Sequence, residues 1–153
     1  MGICSICRHL HSKGISHGDL YGHNILVNRM QSIGSVGSEM LPPLLGDMGA
    51  ASFYTIPSSQ VRDDDDDVGD SGIVLEIRAD TAHNIQLIEV RAFGCLIEEL
   101  LDHCTTDTPT PAGNSQVYER ELRALQYKCM DKILVDRPSF DDIYKELNSI
   151  FNI

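Results

Sequence analysis

The segment HSKGISHGDLYGHNILVN, residues 11–28, sets His17, Asp19 and Asn24 at short intervals just ahead of an apolar run. A second group follows at Asp47-Met48-Gly49. An imidazole, two carboxylates and a primary amide are the groups from which acid–base sites and oxygen-ligand cation sites are built. The setting is that of an active-site loop. Yet no Arg or Lys stands between His17 and Asn24, where such loops usually carry them.

The elements around these residues follow from periodicity and punctuation. Ile3, Ile6, Cys7 and Leu10 recur at helical spacing, and Gly14 follows as a stop, so 3–13 reads as a helix. Residues 25–28 (ILVN) and 43–45 read as short strands, separated by a Gly/Ser-rich stretch at 31–39. Residues 55–75, with Pro, Ser, Gly and an Asp run, read as a loop. From about 84 to 103 apolar residues surround most of a helix, which places it at the centre of the fold. Residues 105–114 read as a loop and 116–131 as an amphipathic helix. Arg137-Pro138 breaks the chain, and Ser139 caps a last helix over 140–151.

Composition sets the outer bounds. The 153 residues are 42% hydrophobic and 23% charged, which suits one soluble domain. At this length a folded chain buries about two-thirds of its surface. A net charge of −11 argues against nucleic acid as a partner, because phosphate binding needs Lys and Arg. The acidic run Asp63 to Asp67 reads as a solvated loop, since adjacent carboxylates cannot all converge on one ion. Five cysteines without regular spacing argue against a disulfide framework, and the Cys4-x-x-Cys7 pair reads as core. No 18-residue apolar span or signal-peptide core is present, and Ile6 breaks a myristoylation start. The expectation is a cytoplasmic protein with no membrane partner and an open oligomeric state.

His17-Gly18-Asp19, Asn24 five residues after the Asp, and Asp47-Met48-Gly49 together resemble the H-R-D-x-x-x-x-N and D-F-G motifs of the protein-kinase family. EVRAFGCLIEELL (89–101) is similar to that family's central helix. CMDKILVDRPSFDDIYKEL (129–147) is similar to its C-terminal R-P-S-F segment, and ICRHLHSKGISHGDL to its helix entering the catalytic loop. These blocks run in family order over 3–150, nearly the whole chain. The resemblance implies a mainly α fold, a kinase-like C-terminal lobe with short β-hairpins around the catalytic loop (15–28) and the metal-binding motif (47–49). It implies an activation segment at 50–76, a central helix at 85–103 and C-terminal helices at 116–131 and 139–151. By resemblance Asp19 is the catalytic base, and Asn24 and Asp47 hold Mg2+ against ATP phosphates. Leu26 floors the adenine, while His17 and Gly49 support the loops. Glu89 anchors the catalytic-loop backbone where the family has an Asp, and Arg137 pairs with Glu76. The implied activity is phosphoryl transfer from Mg-ATP to a Ser/Thr or Tyr hydroxyl of a protein substrate.

The departures from the family pattern are informative. Only sixteen residues precede His17, there is no G-x-G-x-x-G, and Lys13 stands at the catalytic loop rather than on a distant strand. The resemblance is therefore to the C-terminal lobe alone, and half of the ATP site lies outside these residues. Gly18 replaces an Arg, Tyr21 replaces a Lys, and Met48 replaces a Phe. Two other readings stand beside the first. One is a pseudokinase or scaffold that binds a partner protein. The other is a small-molecule phosphotransferase of the aminoglycoside or choline kinase type, whose loop often reads H-G-D-x-x-x-x-N. The face that meets an N-terminal lobe is expected to expose apolar surface at His17, Leu26 and Met48.

Overall fold

In a computed structural model the described residues are 2–27, 42–54, 79–104 and 115–151. They form four helices and two small antiparallel ribbons: α1 (Gly2–Ser12), β1 (Ile15–Ser16), β2 (Ile25–Leu26), β3 (Leu44–Leu45), β4 (Ser52–Phe53), α2 (Ala79–Cys104), α3 (Ser115–Cys129) and α4 (Phe140–Phe151). The fold is mainly helical, with the strands confined to the region of the candidate loops. β1 pairs with β4 through Ile15↔Phe53 and Ser16↔Ser52, and β2 pairs with β3 through Ile25↔Leu45 and Leu26↔Leu44. The two ribbons bring the D-M-G segment back beside the H-G-D segment from opposite sides.

α2 is the axis. Leu87, Val90, Phe93, Leu96, Ile97 and Leu101 are buried on it, and all of them but Leu87 share one core cluster with Leu125 and Cys129 of α3 and Phe140, Ile143 and Leu147 of α4. Fully burying such a side chain contributes about 1.5–3 kcal/mol, so this cluster dominates the stability of the fold. The helix is not buried all round: Ile88 and Leu100 stay exposed. It also starts at Ala79, six residues before the expected 85, through a polar first turn without an apolar signal. At Gly94 the missing side chain lets α3 approach, since a Cβ there would lie 2.9 Å from Cys129 Cβ and 2.7 Å from Met130 Cγ. α3 ends at Cys129 rather than 131. Ser139 caps α4: its hydroxyl accepts from the Asp142 N–H and donates to the Asp142 carboxylate.

α1 buries Cys4 and Cys7, with Ile3, Ile6 and Leu10 only half-buried. Burial pushes the Cys4 thiol up to about 11, that of Cys129 to about 12, and that of Cys7 further still. Thiols held protonated in this way are packing groups rather than nucleophiles or metal ligands. Among the described residues no helix is long and apolar enough to cross a membrane. The Gly/Ser-rich stretch, the Asp63–Asp67 run, the loop at 105–114 and most of the expected activation segment lie outside the described residues.

Candidate functional site

The H-G-D loop is launched from the end of α1. The helix closes with Lys13 N–H donating to the Leu10 carbonyl and Gly14 N–H to that of His11. Gly14 then adopts a left-handed φ of 67°, which glycine reaches without steric cost. A Cβ there would sit 2.3 Å from the Tyr54 carbonyl oxygen, and Tyr54 N–H donates to the Gly14 carbonyl at 2.7 Å. Tyr54 itself is buried, and its hydroxyl accepts from Gln86 of α2.

Within the loop, His17 is wholly buried and bridges two segments. Its Nε2 donates to the Gly46 carbonyl at 2.9 Å, and its Nδ1 accepts from the Asp19 N–H at 3.3 Å. These partners define the neutral tautomer with the proton on Nε2. The ring is therefore no part of the exposed apolar face, contrary to the expectation from sequence. Leu26 and Met48 are exposed as expected, and so are Val27, Leu44 and Phe53. A short 3-10 turn, Gly22–Asn24, turns Asn24 inward. The Asn24 amide donates from Nδ2 to both the Asp19 carbonyl (2.8 Å) and Asp19 Oδ2 (3.0 Å). The Asn24 carbonyl oxygen accepts from the Gly46 N–H at 2.8 Å. Asp19 and Asn24 are thus held in contact, with the residue preceding Asp47 bonded to the same loop.

Glu89 anchors this loop from below. The side chain is 4% exposed, its Oε1 accepts from the Gly18 N–H at 2.8 Å, and its Oε2 accepts from His11 Nε2 at 2.5 Å. Burial pushes the Glu89 carboxyl up, but the His11 bond and the backbone N–H groups of Gly18 and His17 outweigh it, and the net shift is downward. Gly18 has a φ of 78°, and a Cβ there would lie 2.4 Å from the Ala50 carbonyl oxygen. Here the glycine meets a backbone requirement: it lets the loop pass against the segment that follows Asp47.

The D-M-G segment is held more lightly. Asp47 is left-handed (φ 54°, ψ 74°), and its Oδ1 accepts from the Gly49 N–H at 3.1 Å, capping a short 3-10 turn over Met48–Ala50. Asp47, Met48, Gly49 and Ala50 are all exposed. Glu76, the expected partner of Arg137, lies outside the described residues. Arg137 donates from Nε to the Asp131 carbonyl (2.8 Å) and from Nη1 to the Leu87 carbonyl (3.0 Å), tying the turn after α3 to α2. Sequence reasoning did not single out His11 or Tyr54. The signal for His11 was faint, a histidine six residues before His17 on the face that also carries Cys4 and Cys7.

Among the described residues no cluster of three or more His, Cys, Asp and Glu side chains is placed to hold a metal. Both Asn24 side-chain bonds use Nδ2, and the Asp47 side-chain bond uses Oδ1.

No family model matches the chain. A probable serine/threonine-protein kinase of Dictyostelium discoideum is 29% identical over 156 aligned residues, which take in 93% of this chain and 34% of that protein. The similarity to a kinase is distant, and the chain spans about a third of the length of the relative it matches.

Proposed function

We propose that the His17–Asn24 loop and the Asp47–Gly49 segment form the catalytic-loop half of a phosphoryl-transfer site acting on a protein hydroxyl. The observation that carries this reading is the Asp19–Asn24 contact, with Gly46 bonded to both His17 and Asn24. Asp47 follows Gly46 directly in the chain, and in this reading it serves the same site. The printed name of the Dictyostelium relative supports a serine or threonine hydroxyl as acceptor.

In this reading Asp19 orients the acceptor hydroxyl through the carboxylate oxygen that Asn24 does not engage. It would take the hydroxyl proton as the oxygen–phosphorus bond forms and the bond from the terminal phosphorus to ADP breaks, the electron pair leaving with ADP. Bound Mg-ATP supplies the phosphoryl group and the positive charge that offsets the developing negative charge. Asn24 Oδ1 and Asp47 Oδ2 fit a magnesium ion, which takes oxygen ligands and is commonly held by one or two carboxylates together with substrate phosphates. Leu26, which is exposed, would supply the apolar floor for the adenine.

The test is phosphotransfer from Mg-ATP to a generic protein substrate by the longest product of the gene, compared with its Asp19→Asn variant. A lost general base costs about 10²–10⁴-fold in rate, with the melting shift induced by Mg-ATP retained. Equal turnover in parent and variant would overturn the assignment of Asp19. A parent that neither turns over nor gains stability from millimolar Mg-ATP would favour the scaffold reading.

A further inference from the structure

We infer that His11 is a positioning residue for the loop carrying Asp19, and that it acts through Glu89 without touching the loop itself. The inference rests on the reading of Asp19 as the base. His11 is the fixed end of the chain of contacts. It sits in the last turn of α1, its side chain is 8% exposed, and its ring packs edge-on against Phe140 of α4 at 4.9 Å and Tyr54 at 6.5 Å. These contacts belong to the core, so the ring's place is set by packing rather than by the loop.

Glu89 is the movable link. It has three side-chain torsions, and its two oxygens are divided between two tasks: Oε2 on His11 and Oε1 on Gly18. With Oε2 held, Oε1 is aimed at the loop. Without that hold, a buried carboxylate is left half-paired, and it either turns away or takes a proton. Both responses weaken the bond to the Gly18 N–H. Gly18 cannot compensate, because it has no side chain and its left-handed backbone is held against Ala50 with no room to shift toward it. Asp19 is the next residue. A displaced Gly18 therefore displaces the carboxylate that Asn24 holds, and a misplacement of about 1 Å can cost on the order of 10²-fold in rate.

The Gly18 amide reports this directly. Gly18 itself is exposed, so slow hydrogen exchange at its N–H reflects the bond to Glu89 rather than general burial. Exchange at this amide is to be measured by NMR in the parent chain, in His11→Phe and in His11→Gln. Phe keeps the ring's packing and removes the donor, and the cavity of about 530 Å3 that His11 lines with Arg8, Ser139 and Asp141 leaves room for it. Gln restores a donor on a side chain of similar reach. The expected result is a tenfold or greater loss of protection at Gly18 in His11→Phe, with the core amides of α2 and α4 unchanged, and recovery in His11→Gln. Parent-like Gly18 exchange in His11→Phe, or a loss spread equally over α2 and α4, would overturn the inference. Should His11→Phe fail to fold, His11→Asn carries the same two outcomes, since its shorter side chain cannot reach Oε2. The readout needs no turnover. An inactive parent would sink the reading of Asp19 and leave the link from His11 to Gly18 measurable by itself.

Discussion

The two halves of the candidate site are held in opposite ways. The H-G-D half is bonded at each residue: the buried His17 to Gly46, Gly18 to Glu89, and Asp19 to Asn24. The D-M-G half is exposed, with Asp47 held by one bond to its own turn. A base must be aimed at one proton, which calls for a fixed carboxylate. A magnesium ligand must accept an ion that arrives with its nucleotide, which calls for an accessible one. The difference in restraint matches the tasks proposed for Asp19 and Asp47, and it can be broken or sharpened by substitution.

Glu89 is where the comparison is most easily broken. Glu89→Ala leaves the His11 donor and the Gly18 N–H without their acceptor in the interior. Leaving hydrogen-bonding groups without their buried acceptor costs about 1–3 kcal/mol each, the largest effect expected of any single change here. Urea unfolding at neutral pH measures it. A loss below about 1 kcal/mol would mean that the anchor is replaceable, and the contrast between the halves would fall with it.

Glycines give a paired test of the same contrast. Gly18→Ala forces a side chain into a left-handed conformation, at about 1–2 kcal/mol, and drives its Cβ to within 2.4 Å of the Ala50 backbone oxygen. Gly49→Ala meets only the Asp47 side chain, at 3.0 Å. As an exposed change it is expected to stay within about 0.5 kcal/mol. Equal losses at the two positions would show that the D-M-G turn is as tightly constrained as the loop.

Acid provides a third probe. The folded-state pKa of Glu89 lies below its ordinary value of 4.5, so its ionised form stabilises the fold. That contribution is present in full above the ordinary value and disappears as pH falls through the depressed one. Stability of the parent should therefore fall below pH 4.5 more steeply than that of Glu89→Gln. Asp142 is also held low by the Ser139 hydroxyl, but it is exposed and common to both proteins, so it cancels in the difference. Parallel acid limbs would deny Glu89 its charge-dependent role.

How much of this was legible in the sequence depended on whether a feature is local. α4 could be read because Pro138, the Ser139 cap and the stripe Phe140, Ile143, Tyr144 and Leu147 all lie within ten residues. The strands at Ile25 and Leu44 were legible for the same reason. The β1–β4 ribbon was not, because two residues a side carry no periodicity and the pairing joins Ile15 to Phe53 and Ser16 to Ser52, far apart in the chain. The early start of α2 was hidden by its polar first turn. Gly18 looked like a missing Arg; its left-handed backbone and the nearby Ala50 carbonyl show a steric requirement that no linear pattern carries. The His11–Glu89 contact spans 78 residues, and no local pattern in the sequence joins the two positions.

The smallest effect on stability is expected at Asp47, and there the comparison is most specific. Asp47→Asn keeps the acceptor that caps the Met48–Ala50 turn. It also keeps a residue that tolerates the left-handed backbone better than most. The side chain is exposed, so the apo melting point should move by no more than about 0.5 kcal/mol implies. What changes is charge: a neutral amide replaces a carboxylate at the proposed magnesium ligand. The stabilisation by Mg-ATP, read as a melting shift at fixed nucleotide, should shrink sharply in Asp47→Asn, while the shift with ATP in EDTA stays as in the parent. If Asp47→Asn instead unfolds the chain, the D-M-G segment is a structural brace like the loop beneath it. If it binds Mg-ATP as well as the parent does, the accessible carboxylate is not the ligand, and openness at Asp47 has some other cause.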